Sequence, residues 1–195
     1  MARLTLPCDE ATIRALKVGD FVELSGRMIT GRDSAHHWLV KEFRQEVAPY
    51  MQGSVIYHVG PVVKKHEDGR YSFVAAGPTT SAREEPYQAD VIGRYGLRGV
   101  IGKGGMGPKT LAGLKEHGAV YFHAIGGAAQ VLAEAVTRVE TVFQLAEFGV
   151  PEALWVIEVK DFPVVVTMDS HGNSLHAEVD AASKARLDAL LGLAG

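Results

Sequence analysis

The sequence has a single cysteine, Cys8. One thiol cannot form an intrachain disulfide, nor can it complete a cysteine-ligated metal or iron–sulfur site, which takes several thiolates. Long hydrophobic runs are also missing, because the longest, at residues 124–129 and 163–168, are far too short to span a bilayer. The N-terminal segment lacks the apolar core of a signal peptide. We therefore predict a cytoplasmic protein that does not associate with membranes.

A strong charge of either sign is absent as well. The 20 lysines and arginines are nearly balanced by 23 aspartates and glutamates, which gives a formal net charge of -3. Proteins that bind nucleic acids usually carry a basic patch or stripe, so we predict no nucleic-acid partner. A hydrophobic fraction of 47% and a charged fraction of 22% are typical of a globular protein. No stretch has the composition of a linker, so we predict one domain over residues 1–195.

Residue patterns predict strands and helices that alternate along the chain. The predicted strands cover residues 4–6, 21–28, 55–59, 71–76, 99–101, 119–124, 154–159, 164–168 and 175–179. The predicted helices cover residues 10–16, 34–46, 85–95, 108–117, 128–135 and 181–193, with Asp9 and Asp33 as N-caps and Gly96 and Gly118 at C-terminal ends. Turns are expected at residues 64–70 and 171–173. The alternation in the middle of the chain predicts an α/β fold with a mixed sheet flanked by helices.

The first segment that suggests chemistry is Gly-Arg-Asp-Ser-Ala-His-His at residues 31–37. It lies where a strand gives way to a helix, and the free amides of a helix start favour anions. Arg32 stands just before that start. The alternative is purely structural: Asp33 caps the helix, while Arg32, His36 and His37 are solvated.

The second segment, Gly-Pro-Thr-Thr-Ser-Ala-Arg at residues 77–83, follows an apolar strand. Three consecutive hydroxyl residues are weak helix formers but supply hydrogen-bond donors and acceptors. Arg83 can hold a carboxylate through two parallel hydrogen bonds. Loops at the carboxyl ends of strands are the usual ligand sites of open α/β sheets. A helix start rich in Ser and Thr with a surface arginine is the structural alternative.

The third segment, Gly-Lys-Gly-Gly-Met-Gly-Pro at residues 102–108, again lies between a strand and a helix. Its glycines allow a close approach of the backbone to a ligand, and Lys103 adds a positive charge. A nucleotide-phosphate loop is an alternative. However, neither the P-loop spacing nor the dinucleotide-binding spacing of glycines is met.

Arg32, Arg83 and Lys103 each follow an apolar strand. If those strand ends converge, the three cations and neighbouring hydroxyls form a receptor for a small dianion such as a dicarboxylate. A general base is also needed for catalysis, and the candidates nearby are the hydroxyls, His36 and His37.

These three motifs, in this order, resemble the C-terminal domain of class I fumarases, which is a separate β subunit in two-subunit enzymes. Two further motifs are similar: Pro-Glu-Ala-Leu-Trp at residues 151–155 and Asp-Ser-His-Gly-Asn-Ser-Leu at residues 169–175. The resemblance covers roughly residues 15–180. The glycine-rich motif and the Pro-Glu-Ala-Leu-Trp motif are especially similar to β subunits of L(+)-tartrate dehydratase.

The resemblance implies a swivelling β/β/α domain that closes over a 4Fe-4S cluster bound by a partner α subunit. This chain itself would bind no metal. The implied assembly is a hetero-oligomer, with a homodimer as an option for the isolated chain. The implied reaction is the reversible hydration or dehydration of a four-carbon dicarboxylate, either fumarate to malate or L-tartrate to oxaloacetate.

The resemblance also assigns roles to individual residues. Arg32, Arg83 and Lys103 would bind the substrate carboxylates, and Thr79 would be the catalytic residue, activated by its surroundings or by a relay. Supporting roles are assigned to Asp33, His36 and Thr80.

This chain departs from the family pattern at two places. Members often carry Met-Asp after the motif arginine, where this chain has Glu84 and Glu85. They usually carry Lys or Arg after the first histidine, where this chain has His37 and Trp38. Both departures lie beside the expected ligands and bear on the choice of substrate. The alternative to an enzyme subunit is a non-catalytic module that binds or senses dicarboxylates.

Overall fold

The computed structural model describes residues 2–192. Its strands are β1 (Ala2–Leu6), β2 (Phe21–Thr30), β3 (Val55–Tyr57), β4 (Val62–Lys65), β5 (Tyr71–Ala75), β6 (Gly99–Gly102), β7 (Val120–His123), β8 (Val136–Phe143) and β9 (Leu154–Met168). Its α-helices are α1 (Glu10–Arg14), α2 (Asp33–Lys41), α3 (Ala48–Met51), α4 (Gln88–Tyr95), α5 (Pro108–His117), α6 (Ala129–Glu134), α7 (Leu145–Phe148) and α8 (Leu175–Leu190). A 3-10 helix covers Ser81–Glu84.

Five strands form a closed, barrel-like mixed sheet. Strands β2, β3, β6 and β7 are parallel neighbours in that order. Strand β9 runs antiparallel to both β7 and β2 and so closes the ring. Strand β1 adds in parallel to β2, and β8 adds in antiparallel fashion to β9, while β4 and β5 form a separate two-stranded sheet. The predicted α/β class with a mixed sheet is confirmed, and the closure of that sheet is an added finding.

The strands separate two hydrophobic clusters because successive side chains of a strand point to opposite faces. Tyr57, Ile101 and Phe122 belong to one cluster, together with the buried Trp155 of β9. Their chain neighbours, including Ile56, Val100 and Tyr121, belong to the second cluster, which also contains the buried hydrophobic residues of α2, α4 and α5. Helices therefore cover one face of the parallel strands.

The predicted helix ends are confirmed where short-range hydrogen bonds define them. Asp9 Oδ1 accepts a hydrogen bond from the Thr12 amide at 2.8 Å, as expected of an N-cap. Gly96 and Gly118 end α4 and α5 with φ values of 65° and 63°, which side chains with a Cβ rarely adopt.

Some predicted elements are wrong. Residues 175–179, predicted as a hairpin strand, are the first turns of α8, because Ser174 Oγ accepts from the Ala177 amide and starts a helix there. The strands predicted at 154–159 and 164–168 are one continuous strand, β9, and β8 is a strand where none is predicted. The turn predicted at 171–173 is confirmed, since Asp169 Oδ1 accepts from two amides of that turn. The turn predicted near 64–70 joins β4 to β5.

Helix α8 is the longest helix among residues 2–192, with 16 residues, and it has no buried residue. No helix in this part of the chain has the length and apolar character needed to cross a membrane. The last residue of the helix predicted at 181–193 lies outside the described residues.

Candidate functional site

Four parallel strands end at the same edge of the sheet, and their ends carry polar residues. Arg32 follows β2, His58 follows β3 and Lys103 follows β6. The end of β7 joins this edge, because the Ala124 amide donates to Gly102 O at 2.9 Å. The carboxyl ends of parallel strands are the usual ligand-binding edge of α/β sheets. This edge is therefore the candidate site.

The hydroxyl-rich segment, residues 79–81, lies between the ends of β3 and β6. The Thr79 amide donates to His58 O at 2.8 Å, and the Lys103 amide donates to Thr79 O at 3.2 Å. The Ser81 amide then donates to Lys103 O at 3.1 Å, and Thr80 pairs with Lys103 as an isolated bridge. The half-buried Thr79 and the exposed Thr80 therefore lie beside Lys103.

Arg32 precedes α2 in an extended conformation and forms an ion pair, with its Nε 3.3 Å from Glu152 Oε1. The other carboxylate oxygen of Glu152 accepts from the Ser34 amide at 3.0 Å. The prediction that Asp33 is the N-cap is wrong: Arg32 holds that position, and Asp33 is the first helical residue with an exposed side chain. The physical reason is that a carboxylate distant in sequence satisfies the free amide at the start of α2.

Arg83 is an exposed residue of the 3-10 helix, and the next residue, Glu84, is buried with 1% of its surface exposed. Glu84 Oε2 has no hydrogen-bond partner among the described residues. Burial raises the pKa of Glu84 to about 7, and the negative charge of Asp33 adds to this shift. The positive charges of Arg83 and Arg32 oppose it. The start of α2 and the 3-10 helix therefore lie close enough for both predicted arginines to act on one carboxyl group.

His36 is fully buried, with Nδ1 2.9 Å from Arg32 O and Nε2 2.9 Å from Gln88 Oε1. Burial lowers the pKa of His36, so the ring is neutral near pH 7. His37 is exposed and its ring packs edge-on against Tyr87. Neither arrangement shows a histidine placed as a general base in contact with Thr79.

Sequence reasoning missed His58. It is fully buried, with Nδ1 2.8 Å from Ser81 Oγ and Nε2 2.8 Å from Gln88 Oε1. Burial lowers its pKa well below the usual value, and the neighbouring His36 adds to that shift. The available signal was a polar residue inside the apolar run at 55–59, which is unusual unless the residue is hydrogen-bonded.

The glycine-rich loop leads into α5, whose first amides are already occupied. Glu85 accepts hydrogen bonds from the Gly107 amide at 2.8 Å, the Thr110 amide at 3.1 Å and the Thr110 hydroxyl at 2.6 Å. A phosphate group at this helix start would have to displace the negatively charged Glu85 carboxylate, which already accepts these hydrogen bonds. This arrangement argues against the nucleotide-phosphate alternative.

Among residues 2–192, no three or more His, Cys, Asp and Glu side chains are grouped so that they could hold a metal ion. Burial raises the pKa of the Cys8 thiol to about 11, which keeps it protonated, whereas metals bind the thiolate.

Comparison with known proteins agrees with the motifs. The family described as "Fumarase C-terminus" matches residues 2–179. A putative fumarate hydratase class I of Geobacillus stearothermophilus is 53% identical over 184 residues, which are 94% of this chain but 35% of that protein. A putative L(+)-tartrate dehydratase subunit beta of Methanocaldococcus jannaschii is 42% identical over 184 residues, 93% of this chain and 94% of that protein.

The L(+)-tartrate dehydratase subunit beta of Escherichia coli K12 is 39% identical over 176 residues, 90% of this chain and 86% of that protein. The chain thus corresponds to about a third of the Geobacillus relative and to most of the two beta subunits. The matched region contains every residue of the candidate site. The chain belongs to the fumarase C-terminus family.

Proposed function

We propose that this chain is the β subunit of a two-subunit hydro-lyase. The reaction is the reversible hydration or dehydration of a four-carbon dicarboxylate, fumarate to malate or L-tartrate to oxaloacetate. Family membership supports the proposal, since the relatives are described as a fumarate hydratase and as tartrate dehydratase beta subunits. The observation that carries it is the insertion of residues 79–81 between the ends of β3 and β6, which puts a threonine beside Lys103.

In this proposal the substrate carboxylates bind to Arg32, Arg83 and Lys103. Arg32 is paired with Glu152 through Nε. A guanidinium group has five N–H donors, so the pairing leaves others for a substrate. Gly60 lies where a Cβ would come within 2.6 Å of Arg32 Nη1, so the absent side chain leaves room for this guanidinium. Glu152 then orients Arg32, and the substrate carboxylate offsets the excess positive charge of the three cations.

Thr79 is proposed to take part in moving the proton next to a carboxylate. Its Oγ1 donates a hydrogen bond to His58 O at 3.1 Å, which fixes the hydroxyl and leaves its oxygen lone pairs free. A carbonyl oxygen is too weak a base to accept the hydroxyl proton, and the His58 ring is hydrogen-bonded to Gln88 and Ser81 instead. Thr79 therefore needs activation from a group outside these contacts, and we propose that the partner subunit supplies it.

The described residues of this chain do not fit a 4Fe-4S cluster, which is usually held by several cysteine thiolates. We propose that the partner α subunit binds the cluster and that this chain closes over it as a swivelling domain in a hetero-oligomer. No step at the cluster is assigned to this chain. Its own contribution is to bind, orient and exchange a proton with the substrate.

The test is to purify this chain and its cluster-bearing partner separately and to measure turnover of fumarate, malate and L-tartrate by each and by the mixture. We expect turnover only in the mixture. Appreciable dehydratase turnover by the metal-free isolated chain would contradict the proposal. Binding of malate or tartrate by the isolated chain, measured by calorimetry, without turnover in the mixture would instead support a non-catalytic dicarboxylate-binding module.

A further inference from the structure

Five buried polar side chains form a continuous row beneath the candidate site. They are His36, Gln88, His58, Ser81 and Tyr121, and each is 0% exposed. Gln88 bridges the two imidazoles, Ser81 Oγ lies 2.8 Å from His58 Nδ1, and Tyr121 OH lies 2.9 Å from Ser81 Oγ. Burying so many polar groups is costly unless they are hydrogen-bonded to one another, so the row needs a physical explanation.

The row contacts the main chain of each segment that carries a proposed site residue. His36 Nδ1 lies 2.9 Å from Arg32 O. His58 O accepts both hydrogen bonds that Thr79 donates, from its amide and from its hydroxyl. The Ser81 amide donates to Lys103 O. Three strand-end segments therefore meet at residues whose side chains form one buried row.

The atoms that carry protons in this row can be deduced from the groups that can only accept hydrogen bonds. Arg32 O can only accept, so His36 must carry a proton on Nδ1. Burial lowers the pKa of His36, so this ring is neutral and its Nε2 needs a donor. Gln88 supplies one only if its amide nitrogen, rather than its oxygen, faces the imidazoles. Amide oxygen and nitrogen are interchangeable in shape, and the reversed orientation places the otherwise unpartnered Nε2 between two acceptors.

The same orientation of the Gln88 amide decides which ring nitrogen of His58 carries the proton. The two N–H groups of the Gln88 amide then donate to Nε2 of His36 and Nε2 of His58. His58 keeps its single proton on Nδ1 and donates it to Ser81 Oγ, which also forms a hydrogen bond with Tyr121 OH. The reversal leaves the Gln88 oxygen as the unpartnered atom, which proteins tolerate better than an unpartnered N–H.

We propose that Gln88 and His58 are positioning residues that hold Thr79 and the Arg32 main chain in register through two imidazoles protonated at Nδ1. The kinetic part of this proposal rests on the proposed function, whereas the proton positions do not. Positioning matters because a displacement of about 1 Å can cost about a hundredfold in rate. Neither residue needs to touch the substrate.

The proton positions are tested by ¹⁵N nuclear magnetic resonance of the histidine rings in the full chain, with signals assigned by His36→Gln and His58→Gln. We expect both rings to be neutral, protonated at Nδ1, at pH 7 to pH 8. A cationic His36, or a proton on Nε2 of His58, would overturn the arrangement. This result is independent of any activity.

The positioning role is tested with Gln88→Met, which keeps the side-chain length but removes both donors, in the assembled two-subunit enzyme. We expect kcat to fall about 10- to 100-fold, with a smaller change in KM, because Thr79 acts in the reacting step. The control is Gln45→Met at an exposed position, which should leave both constants unchanged. Ser81→Ala, a smaller change, serves if Gln88→Met fails to fold, and it should also lower kcat.

Wild-type kcat in both folded variants would overturn the positioning role, even if their melting temperatures fall. An assembled wild-type enzyme without hydro-lyase activity would refute the proposed function instead. In that case the ring-proton measurement still decides whether the buried row has the arrangement inferred here.

Discussion

Replacing Glu84 by glutamine is expected to stabilise the protein above neutral pH while changing its stability near pH 5 much less. Glu84 is 1% exposed, and its Oε2 has no partner among residues 2–192. Burial and the charge of Asp33 raise its pKa, and the arginines at positions 32 and 83 offset this effect only in part. The ionised carboxylate is therefore a cost to the folded state.

The sign and size follow from proton linkage. The pKa of Glu84 rises from an ordinary value of 4.5 to about 7 in the folded protein, so the folded state holds the proton more tightly. The contribution of Glu84 to stability is therefore most favourable below pH 4.5, becomes less favourable as the pH rises towards 7, and is constant above that pH. Each pKa unit corresponds to about 1.4 kcal/mol, so the upper limit of the cost is roughly 3–4 kcal/mol. Most of it, roughly 2–3 kcal/mol, develops between pH 5 and pH 8.

The assay is urea unfolding of the wild type and Glu84→Gln at pH 5 and pH 8. Taking the difference between the two proteins at each pH removes the contributions of all other titrating groups. We expect the variant to gain roughly 2–3 kcal/mol in free energy of unfolding relative to the wild type between the two pH values, or roughly 5–10 °C in melting temperature. The control is Glu67→Gln at an exposed turn. Its free energy of unfolding should differ from that of the wild type by the same amount at pH 5 and pH 8.

A difference between wild type and Glu84→Gln that is the same at pH 5 and pH 8 would refute the reasoning. It would mean that Glu84 ionises in the folded protein as it does in the unfolded chain. A loss of stability in the variant at pH 8 would be a stronger contradiction, because it would show that the charged carboxylate is held by its arginine neighbours.

Other substitutions test the site and its supports. Glu85→Ala removes the carboxylate at the start of α5 and should lower the free energy of unfolding by about 1–2 kcal/mol in urea, and Glu85→Asp should recover part of the loss. In Gly102→Ala the added Cβ would overlap Ser81 Oγ, so we expect the free energy of unfolding to fall by at least about 2 kcal/mol. An unchanged melting temperature would show that the loop can move to accommodate the methyl group. Thr79→Ala should lower kcat of the assembled enzyme more than it raises KM, whereas Thr79→Ser should keep most of the activity. Arg83→Ala should lower kcat/KM by an amount that corresponds to a loss of about 2–3 kcal/mol in transition-state stabilisation. A near-normal kcat/KM would show that Arg83 is not part of the site.

The sequence predicted best those features that depend on neighbouring residues. The cap at Asp9 and the helix ends at Gly96 and Gly118 follow from local hydrogen bonding and backbone geometry, and all three are confirmed. The positions of the three motifs after strands follow from hydrophobic runs. Their roles in substrate binding and catalysis remain predictions.

Elements that depend on distant partners were predicted poorly. Strand β8 is rich in Val, Thr and Phe, which favour strands, but its apolar residues do not alternate regularly with polar ones, and it includes the charged Arg138 and Glu140. It becomes a strand because it pairs with β9, which buries hydrophobic residues next to it. Residues 175–179 alternate like a strand but continue a helix started by Ser174, since a cap outweighs a short alternating pattern.

The sequence by itself determined the family motifs, the single thiol and the location of the candidate residues at strand ends, because each of these depends on residue identity and short-range pattern. Only the tertiary structure decided what surrounds those residues. It joined Thr79 to His58 across 21 positions and Ser34 to Glu152 across 118 positions. It also buried Glu84 and left its Oε2 without a hydrogen-bond partner among residues 2–192. Such contacts form when strands from distant parts of the chain close into one sheet, and local preferences carry no information about that closure.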